Sequence, residues 1–162
     1  MTDKEHLISY FHELEAVKTG NFTLRSGQTS NIYVDCRKVT LYRASLRLIC
    51  LMVEERLEDY DIDSVGGPTL GADPIVAGLL IQGFAQQGFL IRKAVKGHGL
   101  QKQIEGTVGK RPALVEDVVM TGESLKRCCE LAKPVVVCAV VSRGSVELPC
   151  PFFSLLTLED LL

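Results

Sequence analysis

The chain has 162 residues, room for one domain with a substantial core and too few for two. Hydrophobic residues make up 46% of it, which excludes a disordered polymer. Lys and Arg number 18 against 20 Asp and Glu, a formal net charge of -2, so no electrostatic argument favours nucleic acid or a membrane surface as partner.

The apolar positions Leu7, Ile8, Phe11, Leu14 and Val17 recur at helical spacing and predict a first amphipathic helix that stops near Gly20. The run "NIYVDCRKV" has strand character, and residues from about Arg43 to Glu58 read as a long helix. "DIDSVGG" is a short strand ending in glycines. "ADPIVAGLLIQGFAQQ" is a helix with Asp73 and Pro74 where a cap and a first-turn proline belong. "FLIRKAV" is a strand, whereas "KGHGLQKQIEGTVGKRP" reads as a polar, glycine-rich excursion without an element. Strand "ALVEDV", a helix from Glu123 to Ala132, strand "VVVCAVV" and an extended "FFSLLTL" complete the chain. Alternating strands and helices predict one α/β domain over residues 1–162, built on an open, mainly parallel sheet flanked by helices.

The N-terminus is charged and amphipathic, and no segment is apolar for long enough to span a bilayer, so a cytoplasmic protein is expected. The six cysteines form no C-x-x-C pair and read as reduced thiols.

Ligands of open parallel sheets sit beyond the carboxyl ends of the strands, and three loops fall there. "GGPTLGADP" is either a plain strand-to-helix turn or a backbone nest for an anion. It fits neither the dinucleotide nor the Walker pattern. In "ALVEDVVMTGESL", the carboxylates of Glu116 and Asp117 suit sugar hydroxyls, each able to accept from a vicinal diol. The helix start at Thr121, Gly122, Glu123 and Ser124 offers free amides to one phosphate. The plainer alternative is a helix cap at Thr121 with solvated acids. In "IRKAVKGHG", Arg92, Lys93, Lys96 and His98 put four basic groups within seven residues, either as a solvated loop or as a lid over a polyphosphate.

"LVEDVVMTGES" resembles the phosphoribosyl-diphosphate signature of type I phosphoribosyltransferases. "FTLRSGQTSNIYVDCRKV", "IRKAVKGHG" and "FFSLLTLEDLL" are similar to segments of the orotate phosphoribosyltransferases. The resemblance spans Phe22 to Leu162. It implies the type I fold with a small hood and a mobile catalytic loop, and transfer of ribose 5-phosphate from phosphoribosyl diphosphate to N1 of orotate. Glu116 and Asp117 would hold the ribose hydroxyls, while the backbone of Val118, Val119, Met120, Thr121, Gly122, Glu123 and Ser124 would wrap the 5-phosphate. Arg92, Lys93, Lys96 and His98 would meet the diphosphate, with Lys96, His98 and Asp117 as the catalytic groups. Arg143, Arg25, Tyr33 and Met120 would surround orotate. The resemblance also implies Mg2+ carried with the substrate, with no dedicated protein site, and a homodimer with shared active sites.

The pattern is broken at Met120, where many relatives have a threonine that touches the base, since a thioether cannot replace a hydroxyl's hydrogen bonds. Gly71 stands where some relatives place a diphosphate-binding lysine. Only seven residues, Gly144 to Cys150, separate Arg143 from the last extended segment, where relatives commonly have a helix. Two alternatives follow, a transferase for another base and a catalytically silent sensor of phosphoribosyl diphosphate. Arg143 argues against the first, the basic loop against the second.

Overall fold

The computed structural model describes residues 1–24, 26–93 and 103–162. Helix α1 (Asp3–Glu13) begins with a capping box. Thr2 Oγ1 accepts the Glu5 amide at 3.2 Å, and the Glu5 carboxylate accepts the Thr2 amide at 2.6 Å. Leu7 and Phe11, one turn apart, bury the inner face. The apolar spacing predicted a helix running to Gly20, but it stops at Glu13. Glu15 turns left-handed at φ 52° and the Ala16 amide closes back on the Phe11 carbonyl at 2.8 Å. The chain then runs out as β1 (Val17–Thr23), antiparallel to β2 (Thr29–Val34) with an irregularity between Thr19 and Phe22. This ribbon stands apart from the main sheet.

After a short turn, α2 (Arg37–Thr40), comes α3 (Arg43–Leu57), then β3 (Ser64–Pro68), α4 (Asp73–Gln82) and β4 (Gln87–Ile91). Next are β5 (Ile104–Gly106), β6 (Pro112–Val119), α5 (Glu123–Ala132), β7 (Val136–Ser142) and β8 (Phe152–Thr157). The sheet order is β5-β4-β3-β6-β7-β8, parallel except for the edge strand β5, which runs antiparallel to β4. Strand β5 lies where the sequence reads as an excursion, because three residues ending in a left-handed glycine carry too little apolar alternation to register. Helix α4 is shorter than expected, capped by Gly83 at φ 86°.

The two faces of the sheet carry separate cores. Along β6 and β7, Ala113, Val115, Val136, Cys138 and Val140 pack with Leu7, Phe11, Ile49, Val53, Ile75 and Leu79 of α1, α3 and α4. The intervening Leu114, Val137 and Ala139 pack with Leu125, Cys128, Cys129 and Ala132 of α5. Residues 144–151 are not helical. They run irregularly and add Val146, Leu148 and Cys150 to the α5 side. All six cysteines are free thiols. Among the described residues, no helix is long and apolar enough to cross a membrane.

Candidate active site

Strand β3 is the pivot of the sheet. The chain passes from it to β4 on one side and returns to β6 on the other, so the carboxyl ends of β3 and β6 open a crevice between diverging loops. A cleft of about 310 Å³ lies there. Its floor is Glu116, Asp117 and Val118 at the end of β6. Its walls are the turn Pro68–Gly71, Tyr33 to Arg37 from the end of β2 to the start of α2, Lys93 after β4, and Ser124 in the first turn of α5.

The two carboxylates differ. Asp117 sits directly under the backbone of Gly71, where a β-carbon would stand 2.5 Å from its carboxyl carbon. Its Oδ1 accepts the Val118 amide at 2.7 Å. Glu116 Oε1 accepts the Asp117 amide at 3.0 Å, but burial, and the neighbouring Asp117 charge after it, push the Glu116 carboxyl well above its ordinary value. Lys93 pulls weakly the other way. The same carboxylates, after burial, hold the Cys36 thiol of the cleft wall in its neutral form. In the turn after β3, Ala72 rather than Asp73 occupies the cap position of α4. The Asp73 carboxylate accepts the Thr69 hydroxyl instead, at 3.0 Å.

At the start of α5, Gly122 takes φ 84°, a conformation that favours glycine. A β-carbon there would also stand 2.9 Å from Val146 Cγ1. The first-turn amides of such a helix have no intrahelical acceptor and aim at whatever anion approaches. Thr121 and Glu123 are exposed, Glu123 pairs with Lys126 at 3.3 Å, and Val119 turns its side chain into the core of the α5 face. Met120 is half-buried with its carbonyl oxygen against Gly144.

Arg92 leaves the cleft proper. It pairs with Glu105 of β5 at 3.2 Å and lines an adjoining hollow of about 340 Å³ with Lys93, Ser124 and Arg127. Arg143 follows β7 and reaches the β1–β2 ribbon. Its Nη2 donates to Ser30 Oγ at 3.1 Å and to the Ile32 carbonyl at 3.0 Å, while its buried Nε has no partner among the described residues. Tyr33 does two things, packing on Phe22 at 5.6 Å between ring centroids and lining the cleft. Arg25, Lys96 and His98 lie outside the described residues. The structure thus gathers Tyr33, Lys93, Glu116, Asp117, Val118 and Ser124 at one cleft, with Arg143 held by the ribbon whose Tyr33 forms a wall. Sequence reasoning missed Asp35, Cys36, Arg37 and Thr69 as cleft walls. The polar "VDCR" following an apolar strand was the available signal.

No protein-family model matches the chain. The orotate phosphoribosyltransferase of Pyrococcus furiosus is 41% identical over 134 residues, covering 80% of this chain and 73% of that protein. That of Corynebacterium glutamicum (strain R) is 39% identical over 160 residues, covering 90% and 87%. The chain belongs to the orotate phosphoribosyltransferase family. Among solved structures, Mycobacterium tuberculosis H37Rv orotate phosphoribosyltransferase in complex with 5-phospho-alpha-D-ribosyl 1-diphosphate superimposes with a TM-score of 0.78. It is 29% identical, and 99% of each chain is covered. The fold is that of a type I phosphoribosyltransferase, and the enzyme is an orotate phosphoribosyltransferase that joins orotate to ribose 5-phosphate and releases diphosphate. An orotate phosphoribosyltransferase must hold a sugar, its 5-phosphate, a diphosphate and a planar anion side by side. The carboxylate floor, the α5 start, the basic residues after β4 and Arg143 are the groups of matching chemistry.

Proposed function

We propose a division of labour within one phosphoribosyltransferase domain spanning residues 1–162. Glu116 and Asp117 accept the ribose hydroxyls, and the backbone from Val118 to Ser124, with Met120 in its middle, wraps the 5-phosphate. The observation that carries this reading is the Asp117 carboxylate fixed under Gly71 at the floor of the cleft, one strand end away from the amides of α5. Carboxylates repel phosphate and attract hydroxyls, so the ribose belongs over the acids and its phosphate over the helix start.

In the reaction the C1–O bond to diphosphate breaks as the C1–N1 bond to orotate forms, with loss of the N1 proton. Positive charge grows on the ribose ring and negative charge on the diphosphate. We assign Asp117 to the first, and Arg92, Lys93, Lys96 and His98 to the second. Arg143, with Arg25 and Tyr33, takes orotate, and the ribbon engages only its Nη2 among the described residues, leaving other donors of the fork for the base. Among the described residues no group of three or more ligating side chains could cage a metal. Two adjacent carboxylates at an open cleft fit Mg2+ that arrives on the substrate, where it supplies positive charge to the diphosphate.

The lid residues Lys96 and His98 serve the active site of a second subunit in a homodimer. Leu41, Tyr42 and Leu51 on and beside α3, and Leu70 and Ile81 beside and on α4, are exposed apolar side chains suited to burial by that copy. A cytoplasmic location agrees with six free thiols. Subunit mixing tests the whole scheme. Asp117→Asn and Lys96→Ala are each expected to be inactive, while their mixture regains about a quarter of wild-type activity by random pairing. No recovery on mixing would place both residues in one subunit's site.

A further inference from the structure

The hydroxyl of Ser30 is saturated. It donates to the Ile32 carbonyl at 2.9 Å, and it accepts from the Ile32 amide at 3.2 Å and from Arg143 Nη2 at 3.1 Å. A serine hydroxyl has one proton and two lone pairs, so nothing is left over for a ligand. Arg143 Nη2 also donates to the Ile32 carbonyl at 3.0 Å, which commits both of its protons to the ribbon. The backbone end is fixed as well, because the Arg143 amide donates to the Val119 carbonyl at 2.8 Å. The side chain is therefore pinned at both ends, from β6 and from β2. The donors not consumed there are Nε, buried and without a partner among the described residues, and the two protons of Nη1, which donate to no described residue.

We infer that Ser30 is a positioning residue that selects for an anionic pyrimidine by locking the Arg143 guanidinium, so that the donors the ribbon leaves unspent keep one orientation towards the base. The inference rests on Arg143 being the orotate-binding arginine. An arginine side chain has many rotamers, and orientation of its planar fork decides whether it meets a carboxylate or a carbonyl of the base. The Ser30 clamp removes that freedom before the base arrives, so the ordering cost is met in folding and not in binding. Ser30 thus takes part in base selection without touching the base. Thr29 and Asn31, the neighbours of Ser30, are exposed and make no such contact among the described residues.

The test compares Ser30→Ala, Ser30→Thr and Arg143→Ala in steady-state assays with orotate and uracil, together with phosphoribosyl diphosphate binding by calorimetry. Ser30→Ala is expected to raise KM for orotate about tenfold, as befits loss of one charge-assisted hydrogen bond, with kcat within about twofold of wild type. Its preference for orotate over uracil falls, and its affinity for phosphoribosyl diphosphate is unchanged. Ser30→Thr keeps the hydroxyl and stays close to wild type. An unchanged KM for orotate in Ser30→Ala, while Arg143→Ala raises it, overturns the role of Ser30 alone. Equal weakening of orotate and phosphoribosyl diphosphate would make Ser30 a structural residue of the ribbon and also overturn it. If Arg143→Ala leaves KM for orotate unchanged, the reading of Arg143 fails, and the inference falls with it.

Discussion

The backbone of Gly71 rests on the carboxylate of Asp117. A β-carbon at Gly71 would stand 2.5 Å from the carboxyl carbon and from Oδ1 of Asp117. The turn after β3 and the end of β6 therefore approach each other only because residue 71 has no side chain. Gly71→Ala is expected to displace Asp117 by the order of an ångström and to lower kcat/KM about a hundredfold. Thermal stability should change far less than activity. Steady-state kinetics beside a melting curve separates the two.

Glu116 sits at the same floor with its proton favoured by burial and by Asp117. A carboxyl whose folded pKa is raised holds more protons folded than unfolded. Stability therefore falls as pH rises from the ordinary carboxyl value towards the raised one. Glu116→Gln removes that penalty. The variant is expected to melt higher than wild type at neutral pH, and the gain should vanish near pH 4. Activity should drop where wild-type Glu116 is ionised, because an amide is a weaker acceptor for a sugar hydroxyl than a carboxylate. Paired melting curves across pH check the sign.

Val146 is where the short 144–151 segment meets the phosphate cradle, its Cγ1 placed 2.9 Å from where a Gly122 β-carbon would stand. Val146→Ala is expected to cost about 1 kcal/mol of stability through lost apolar contact. It should also raise KM for phosphoribosyl diphosphate more than KM for orotate, since the backbone it supports belongs to the cradle. Denaturant titration and initial-rate kinetics read the two effects.

At the opposite end of the sheet, Asp63 accepts the Lys110 amide at 2.8 Å, the Arg111 amide at 3.0 Å and the Ser64 hydroxyl at 3.0 Å, fixing the start of β6 beside β3. Burial pushes its carboxyl up, but the Arg111 and Lys110 amides and the Ser64 hydroxyl together hold it below its ordinary value. A depressed carboxyl contributes stability that is full above the unfolded pKa and lost as pH falls through the folded one. Asp63→Asn should therefore melt below wild type at pH 7, and the difference should close in acid. Kinetic constants should hold, which makes this variant a control for those in the cleft.

Most of the fold was legible because apolar strand runs alternate with helical spacing over most of the chain from Arg43 to Thr157. Two elements were misread for local reasons. Leu14 and Val17 continue the helical period of α1, yet the left-handed turn at Glu15 sends Val17 into β1, and nothing at that glutamate announces it. Strand β5 is held to β4 by pairing from Phe89–Gly106 to Ile91–Ile104, a tertiary contact that three residues do not encode. At the site, Glu116, Asp117 and Ser124 were visible because acids at the end of an apolar strand need a reason. The clamp of Ser30 on Arg143 was not, since 113 residues separate the two in sequence and only the packing of the ribbon near the end of β7 brings them together.

The central claim is that this cleft joins orotate to ribose 5-phosphate. It is tested most directly by diphosphate release from purified protein with Mg2+ and phosphoribosyl diphosphate, offered orotate, uracil, hypoxanthine or adenine in turn. Release with orotate alone is the expected result, and Met120 would then be compatible with orotate as the base. Release with a different base, or with none of the four, would contradict it.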